Sequence, residues 1–431
     1  MNFLNSKYNI LCKLCKSEKA IVEVPSQKIK LCKNCYNQFF ENRVKKCIEK
    51  YKMFHPDNKI GIFLSGGKDS ATLLAVLKKL YPNINIQGIY INLGIRYYSD
   101  ITENTVKELC KKVNVPLYVY SLYEKEGYRI DDFIFTRFKH KICSACGAIK
   151  RYLFSKIAKE LNLDVIATGH HLDDTVSTML SLFFQGDFDS IIRLSPVLPP
   201  IYPGQVKKVK PLYTTPEKEI LYYSLINELP VEKSTCPHKD YSSSEKYKKI
   251  LDELEKENRQ IKYQLLSVFS KKLIPLIKRT QKKEEILEIK KCIKCGEITS
   301  SPDQICSRCK RIELLNQITD KTLELSSEEF LDLIKSLEPD EWVIFDIRNK
   351  DEYEKRSFNN AKWISPEILD KSNRKIYKTF KPFKTKRIFI YGESEKLSYL
   401  LVLKLRKLGF RAFNIKHPEH LLQKNNFVSE K

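Results

Sequence analysis

Apolar positions along this chain recur with two periods that take turns. Ile60 to Leu64 is a short apolar run that stops at Ser65-Gly66-Gly67. A helical pattern follows from Asp69, with Leu73, Leu74, Leu77 and Leu80 on a shared face. The pattern predicts further strands over 86–91, 117–121 and 164–168, and helices over 102–113, over 148–161 and onward from Asp173. Alternation of this kind predicts an α/β fold, a mostly parallel sheet covered on both faces. Ligands of such sheets bind beyond the carboxyl ends of the strands. Downstream, 243–273 reads as a highly charged helix whose apolar stripe is Leu251, Leu254, Ile261, Leu265 and Leu266. Residues 322–423 form a further α/β segment without cysteine, and the polar stretch 313–325 is the linker candidate.

The chain has 431 residues, enough for two or three domains, and 42% are hydrophobic, enough for a real core. The formal net charge of +24 favours a polyanionic partner, although a solvated lysine-rich face explains composition alone equally well. The start, MNFLNSKYNILCKLC, lacks an apolar signal core, and no run of about 18 apolar residues suggests a membrane span. A cytoplasmic location without a membrane partner is the expectation. Thirteen cysteines then point away from disulfides and toward metal or redox chemistry in a reducing compartment.

Those cysteines are grouped. Cys12, Cys15, Cys32 and Cys35 read C-x2-C-x16-C-x2-C, and Cys292, Cys295, Cys306 and Cys309 read C-x2-C-x10-C-x2-C. Four thiolates from two short knuckles suit tetrahedral Zn²⁺ with no open position, so each block is expected to hold one structural zinc and to serve as scaffold or RNA dock. Cys47 and Cys110 stand alone in helical stretches and are read as packing residues.

Ser65-Gly66-Gly67-Lys68-Asp69-Ser70 sits between a strand and a helix. Glycines let the backbone approach a phosphate, and the helix start supplies free N–H groups. Ser65 and Ser70 add hydroxyls, Lys68 adds charge, and Asp69 suits a helix start or a Mg²⁺ ion. The G-x4-G-K-[ST] loop is absent, and a plain glycine turn is the competing reading. A second element, Thr168-Gly169-His170-His171-Leu172-Asp173-Asp174, follows a later strand. Its acids are either helix-start charges or groups for Mg²⁺ or substrate.

Cys143, Cys146 and Cys236 make a trio between the knuckle pairs. Three thiolates can hold a [4Fe–4S] cluster with one iron left open to sulfide or substrate. A third zinc completed by His140 or His238 is the alternative, and ligand chemistry alone leaves both standing.

SGGKDS resembles the PP-loop of the ATP pyrophosphatase superfamily, which adenylates a substrate oxygen and releases pyrophosphate. Together with CSACG, TGHHLDD, the later lone cysteine and knuckles at both ends, the chain resembles the TtuA–TtcA group of tRNA thiolases over residues 10–315. The two-zinc-finger branch, which makes 2-thiouridine or 2-thiothymidine, is the nearer likeness. The resemblance implies ATP on Ser65, Gly66, Gly67, Lys68, Asp69, Ser70, Ala71, Ile91, Gly169, His170 and Asp173, with Mg²⁺. It implies a [4Fe–4S] cluster on Cys143, Cys146 and Cys236, and catalytic roles for Lys150, in CSACGAIKR, and Asp174. Lys150 follows Cys146 by one helical turn and can share its face. The implied partners are tRNA, a sulfur donor (a ubiquitin-like thiocarboxylate protein, a persulfide or free sulfide) and a second copy in a homodimer. Relatives often have histidine where this chain has Cys35, and zinc accepts either.

Val343-Ile344-Phe345-Asp346-Ile347-Arg348, Glu352-Tyr353 and Asn360-Ala361-Lys362-Trp363-Ile364 resemble a rhodanese domain. The strand 387–391 should lead into its active loop, where the persulfide cysteine is replaced by Gly392. A persulfide needs a thiolate, so the module is read as a degenerate rhodanese kept for docking or stability. The expected domains are a zinc finger over 1–45, a PP-loop catalytic domain over 46–285, a second finger over 286–315 and the rhodanese-like domain over 316–431. Two other readings compete. A lysidine-type PP-loop tRNA ligase leaves the cysteine trio unused, and a zinc-ribbon RNA-binding protein with a relict pocket leaves SGGKDS and TGHHLDD unexplained.

Overall fold

The computed structural model describes residues 10–24, 26–200, 205–239, 243–280, 290–299, 301–422 and 428–429. The first nine residues, read above for a signal core, and the expected boundary at 285–286 lie outside them. The chain divides into two compact units. One comprises Met1–Tyr128, Ile149–Cys292 and Gly296–Ser300, the other Arg129–Ala148, Ile293–Cys295 and Ser301–Lys431.

The first unit opens with a hairpin, β1 (Val22–Val24) against β2 (Ile29–Leu31), followed by α1 (Lys33–Lys50). Next come β3 (Lys59–Leu64), α2 (Lys68–Leu80), β4 (Asn85–Asn92), α3 (Ser99–Val113), β5 (Leu117–Ser121) and the short α4 (Leu122–Glu126). Helix α5 (Ile142–Glu160) leads to β6 (Val165–Ala167), α6 (Leu172–Phe184), α7 (Phe188–Ile192), β7 (Val197–Leu198), β8 (Lys207–Val209) and α8 (Glu217–Ile226). Helices α9 (Ser243–Glu257), α10 (Ile261–Val268) and α11 (Ile274–Thr280) and a small hairpin, β9 (Lys290–Lys291) with β10 (Ile298–Thr299), complete it.

Its sheet runs β5-β4-β3-β6-β8-β7, parallel except at β7. Ile60, Ile62 and Leu64 of β3 join the large core with α1, α2 and α8. The alternate residue Phe63 is buried on the opposite face, where its ring stacks 3.9 Å from that of Phe154 in α5. Burial on both faces is what a parallel sheet requires, and it explains why β3 reads as an unbroken apolar run. Successive strands leave β3 on opposite sides, β4 and β5 one way, β6 and β8 the other. That makes the carboxyl ends of β3 and β6 a topological switch point, where such folds bind ligands.

The second unit carries α12 (Ser307–Asn316), β11 (Glu324–Leu325), α13 (Ser327–Lys335), β12 (Trp342–Asp346), α14 (Lys350–Lys355), β13 (Ser357–Phe358) and β14 (Lys362–Trp363). It continues with α15 (Asn373–Phe380), β15 (Arg387–Tyr391), α16 (Glu395–Lys407) and β16 (Arg411–Ile415). The five-stranded sheet β11-β16-β15-β12-β14 is parallel throughout, over a core of Phe330, Ile344, Phe389, Tyr391 and Phe413.

Three expectations are corrected. Helix α5 begins at Ile142, six residues before the expected start, because Ile142, Ala145, Ile149, Leu153 and Ile157 form one buried stripe that runs back through Gly147. The charged helix expected over 243–273 breaks at Asn258. That side chain accepts from the Gln260 N–H at 3.0 Å, a local turn that competes with the helix. The expected linker is structured at both its ends, since α12 runs to Asn316 and Glu324–Leu325 pairs with β16. Among the described residues, no helix is long and apolar enough to cross a membrane.

Candidate active site and cysteine centres

The first half of the site is the turn between β3 and α2. Gly66 has φ +77°, and a β-carbon there would lie 2.2 Å from Thr102 Cγ2, so only glycine fits. Gly67 caps α2 without any side-chain hydrogen bond, which leaves the first N–H groups of the helix for an anion. Ser70 Oγ accepts from the Ser65 N–H at 3.1 Å and stands 3.2 Å from Ser65 Oγ, closing the turn. Ala71 and Ile91 are buried beside it, on α2 and near the end of β4.

The second half follows β6. Gly169 lies against the start of α2, where a β-carbon would meet the backbone of Asp69 and Ser70 at 3.1 Å. This close approach joins the two motifs. His170 Nδ1 stands 3.0 Å from Thr168 Oγ1, and burial followed by the nearby Lys210 ammonium lowers its pKa. Lys210 is itself buried, and burial brings its pKa down to about 8. His171 is 1% exposed, with Nε2 3.1 Å from Asp174 Oδ2. Burial opposes its charge, but Asp173, Asp174 and Asp69 outweigh that and raise its pKa.

The two acids of this motif differ. Asp173 is buried with both oxygens engaged: Oδ2 accepts from the Glu217 N–H at 2.7 Å and Oδ1 from Lys262 Nζ at 2.6 Å. Burial works against its charge, yet His171 and Lys262 hold the pKa far below the carboxylate range. Asp174 is 39% exposed and faces His171 and, at 3.7 Å, Lys248. Glu217 bonds Lys68 at 2.7 Å and also Lys248. Despite burial, these two lysines bring its pKa down to about 2. Lys68, Asp173, Glu217, Asp252, Glu255 and Lys262 line part of a cavity of about 840 Å³.

Helix α5 returns the chain from the end of β5 to the start of β6, so it runs antiparallel to the strands. Phe154 docks it on β3, and Lys150, one turn earlier, lies toward the carboxyl edge of the sheet. Cys236 reaches the same edge from the loop after α8. The Glu232 N–H of that loop donates to the Gly66 carbonyl at 2.8 Å. Cys236 also faces Tyr98, whose phenol pKa is raised by burial and then by the charge of that cysteine. Cys143 and Cys146 occupy the first turns of α5 and belong to the second unit. The i, i+3 spacing turns both sulfurs to one face of the helix.

Both four-cysteine blocks are assembled, with the sulfurs of each within 4.8 Å of one another. The Cys15–Cys32 and Cys295–Cys306 separations are 3.8 Å and 3.7 Å. A tetrahedron with metal–sulfur bonds of about 2.3 Å has edges of about 3.8 Å, so the donor sets fit Zn²⁺. Each block uses the same device. Cys32 caps α1 and accepts from the Cys35 N–H, and Cys306 caps α12 and accepts from the Cys309 N–H.

A family model described as PP-loop domain matches residues 36–242, and one described as rhodanese-like domain matches 326–417. The tRNA-5-methyluridine(54) 2-sulfurtransferase of Pyrococcus horikoshii is 35% identical over 320 residues, covering 74% of this chain and 99% of that protein. This chain belongs to the PP-loop tRNA 2-sulfurtransferase family. The Thermotoga maritima sulfurtransferase of the same name is 33% identical, covering 72% of this chain and 99% of that one. Among solved structures, the U34-tRNA thiolase NcsA from Methanococcus maripaludis with its [4Fe-4S] cluster matches with TM-score 0.60 and 25% identity. It covers 72% of this chain and 98% of NcsA.

In this sulfurtransferase family member, Gly392 directly follows β15, at the position that the rhodanese resemblance gives to the persulfide cysteine. A β-carbon there would lie 2.9 Å from Ile347 Cγ1, so a side chain would have to displace Ile347, and no thiol is present. Cys47 and Cys110 are buried and their thiol pKa values are pushed up to about 11 by burial, as packing residues require. Sequence reasoning missed Lys262, Lys248 and Glu217. Both lysines lie in a stretch legible only as charged and amphipathic, and no local spacing links them to Asp173 or Asp174. His171 was within the quoted motif, but nothing in the sequence shows that its ring faces Asp174 and is buried.

Proposed function

We propose that the protein is an ATP-dependent tRNA sulfurtransferase that replaces the 2-oxygen of a uridine-type base with sulfur. The observation that carries this reading is the approach of Gly169 to the Asp69–Ser70 backbone, with Lys68, Lys150, Asp174 and the Cys236 loop on the same strand ends. The names of its relatives agree, three of them tRNA 2-sulfurtransferases.

ATP would lie on Ser65, Gly66, Gly67, Lys68, Asp69, Ser70, Ala71, Ile91, Gly169 and His170, with its phosphates at the α2 N-terminus. Asp173 acts on this set through Lys262 and Glu217 rather than by touching the nucleotide. Mg²⁺ would offset phosphate charge, with Asp69 and Asp174 as the carboxylates closest to hand. The base oxygen attacks the α-phosphorus and pyrophosphate leaves, helped by Lys68 and the helix N-terminus. Sulfide then adds at C2 and AMP departs with the former base oxygen. Lys150 and Asp174 would hold the reacting base and move its proton. A [4Fe–4S] cluster on Cys143, Cys146 and Cys236 would leave one iron free of protein ligands, able to carry the sulfide. The eight knuckle cysteines would hold two structural zinc ions. The domain limits 1–45, 46–285, 286–315 and 316–431, a cytoplasmic location, a homodimer and the nature of the sulfur donor stand as parts of this reading.

Anaerobic reconstitution tests it. The parent should hold iron and sulfide near four each per chain and convert tRNA uridine to its 2-thio form, read by nucleoside mass. Cys236→Ala should lose iron and thiolation while keeping zinc and ATP binding. Thiolation surviving in Cys236→Ala would remove the cluster from the reaction.

A further inference from the structure

The segment that presents Cys143 and Cys146 belongs to the same compact unit as the rhodanese-like fold. Its two 3-10 turns, Ile130–Phe135 and Arg137–His140, lie against α16. Asp131, 2% exposed, accepts from the Tyr399 hydroxyl at 2.6 Å, and Tyr399 is fully buried. A carboxylate removed from water needs a strong partner, and this one is supplied by a helix 268 residues away in sequence. The Arg406 guanidinium sits 5.3 Å from the centre of the Phe135 ring, held there by the carbonyls of Ala412 and Thr322. From α12, Arg311 lies 4.7 Å over the Phe138 ring and donates to the Ser144 hydroxyl at 3.3 Å. Ser144 stands between the two cysteines. The helix that follows Gly392 therefore packs on the segment that leads into both cysteines.

We propose that the rhodanese-like domain is a positioning module. Through Tyr399 and Arg406 of α16, aided by Arg311, it holds the segment bearing Cys143 and Cys146 and so sets how firmly the cluster is retained. The inference rests on the reading of Cys143, Cys146 and Cys236 as cluster ligands. Tyr399 touches neither substrate nor cofactor; it acts through Asp131 and the turn that precedes α5.

The test uses the full-length chain. In Tyr399→Phe, reconstituted anaerobically and then exposed to air, the visible absorbance of the cluster should decay roughly threefold or more faster than in the parent. Zinc content and ATP affinity should stay at parent values. In cluster-free, zinc-loaded protein, hydrogen exchange over 130–148 should accelerate by a similar factor, while strand 387–391 keeps its protection. Asp131→Asn, which retains an acceptor for the tyrosine, should fall nearer the parent than Tyr399→Phe. If 387–391 also loosens, Arg311→Gln carries the test from outside that sheet, with the same faster decay expected. Unchanged decay and unchanged exchange in Tyr399→Phe and Arg311→Gln overturn the proposal. Cys143→Ala separates the two readings: iron kept in that variant refutes the cluster assignment itself. Iron lost there, with Tyr399→Phe behaving as the parent, refutes only the positioning role.

Discussion

The α-carbon of Gly169 lies against the backbone of Ser70, so close that a β-carbon would come within 3.1 Å of the Ser70 nitrogen. The Ser70 side is helix backbone, so the link between β6 and α6 that carries Gly169 must give way. Gly169→Ala should therefore push the second motif away from the phosphate turn. ATP affinity, measured by calorimetry, should weaken roughly tenfold or more, since overpacking costs about 1–3 kcal/mol and about 1.4 kcal/mol is a tenfold change. Zinc content should not change. Parent-like affinity would separate the two motifs functionally.

Lys262 and Asp173 form an ion pair with side chains 4% and 5% exposed. Removing one partner strands a buried charge. Lys262→Met should destabilise the protein by about 3–5 kcal/mol, read by urea unfolding. The double variant Asp173→Asn/Lys262→Met should recover much of that loss, because the uncompensated charge is gone.

Acid should act on the same network. Glu217 drops from 4.5 to about 2 in the folded state, and Asp173 is also lowered. A depressed carboxylate contributes stability that is fully present above its unfolded pKa and is lost as pH falls through the folded one. Stability should thus decline from about pH 4.5 toward about pH 2. In Glu217→Gln the decline across that window should be shallower than in the parent, and an identical slope would remove Glu217 from the account.

Cys32 both caps α1 and completes the first knuckle pair. Cys32→Ser should lower zinc by one ion per chain, leave the other in place and lower the melting temperature. Metal analysis alongside a thermal scan reads both. Retention of both zinc ions would contradict the tetrahedral assignment.

Restoring the missing thiol should not restore a rhodanese. Gly392→Cys places a β-carbon 2.9 Å from Ile347. The variant should lose about 1–3 kcal/mol of stability. It should gain no thiosulfate sulfurtransferase activity in a cyanide assay.

What could be read from the sequence follows contact distance along the chain. Ser65 to Ser70, the knuckle pairs and the β3 run are local, and their spacing alone carried the geometry. Gly66 was legible as a glycine that lets the backbone approach a phosphate, whereas its positive φ and its closeness to Thr102 were not legible. The early start of α5 was hidden because Gly147 and two cysteines interrupt the visible pattern, while the buried stripe beneath them stays in phase. Lys262 and Asp173 are 89 residues apart, and no period or motif couples them. The Tyr399–Asp131 bond is more distant still, and it ties a segment inside the PP-loop region to a fold that begins nearly two hundred residues later.

Adjacent in sequence and alike in chemistry, Asp173 and Asp174 divide their work. The first is spent as an internal strut whose negative charge is cancelled by Lys262, and the second stands 39% exposed, within reach of solvent. A triphosphate arriving at this mouth therefore meets less electrostatic resistance than the string TGHHLDD advertises. Loss of that lysine would leave the inner charge uncancelled and make the entrance more hostile to polyanions without altering a single letter of the motif.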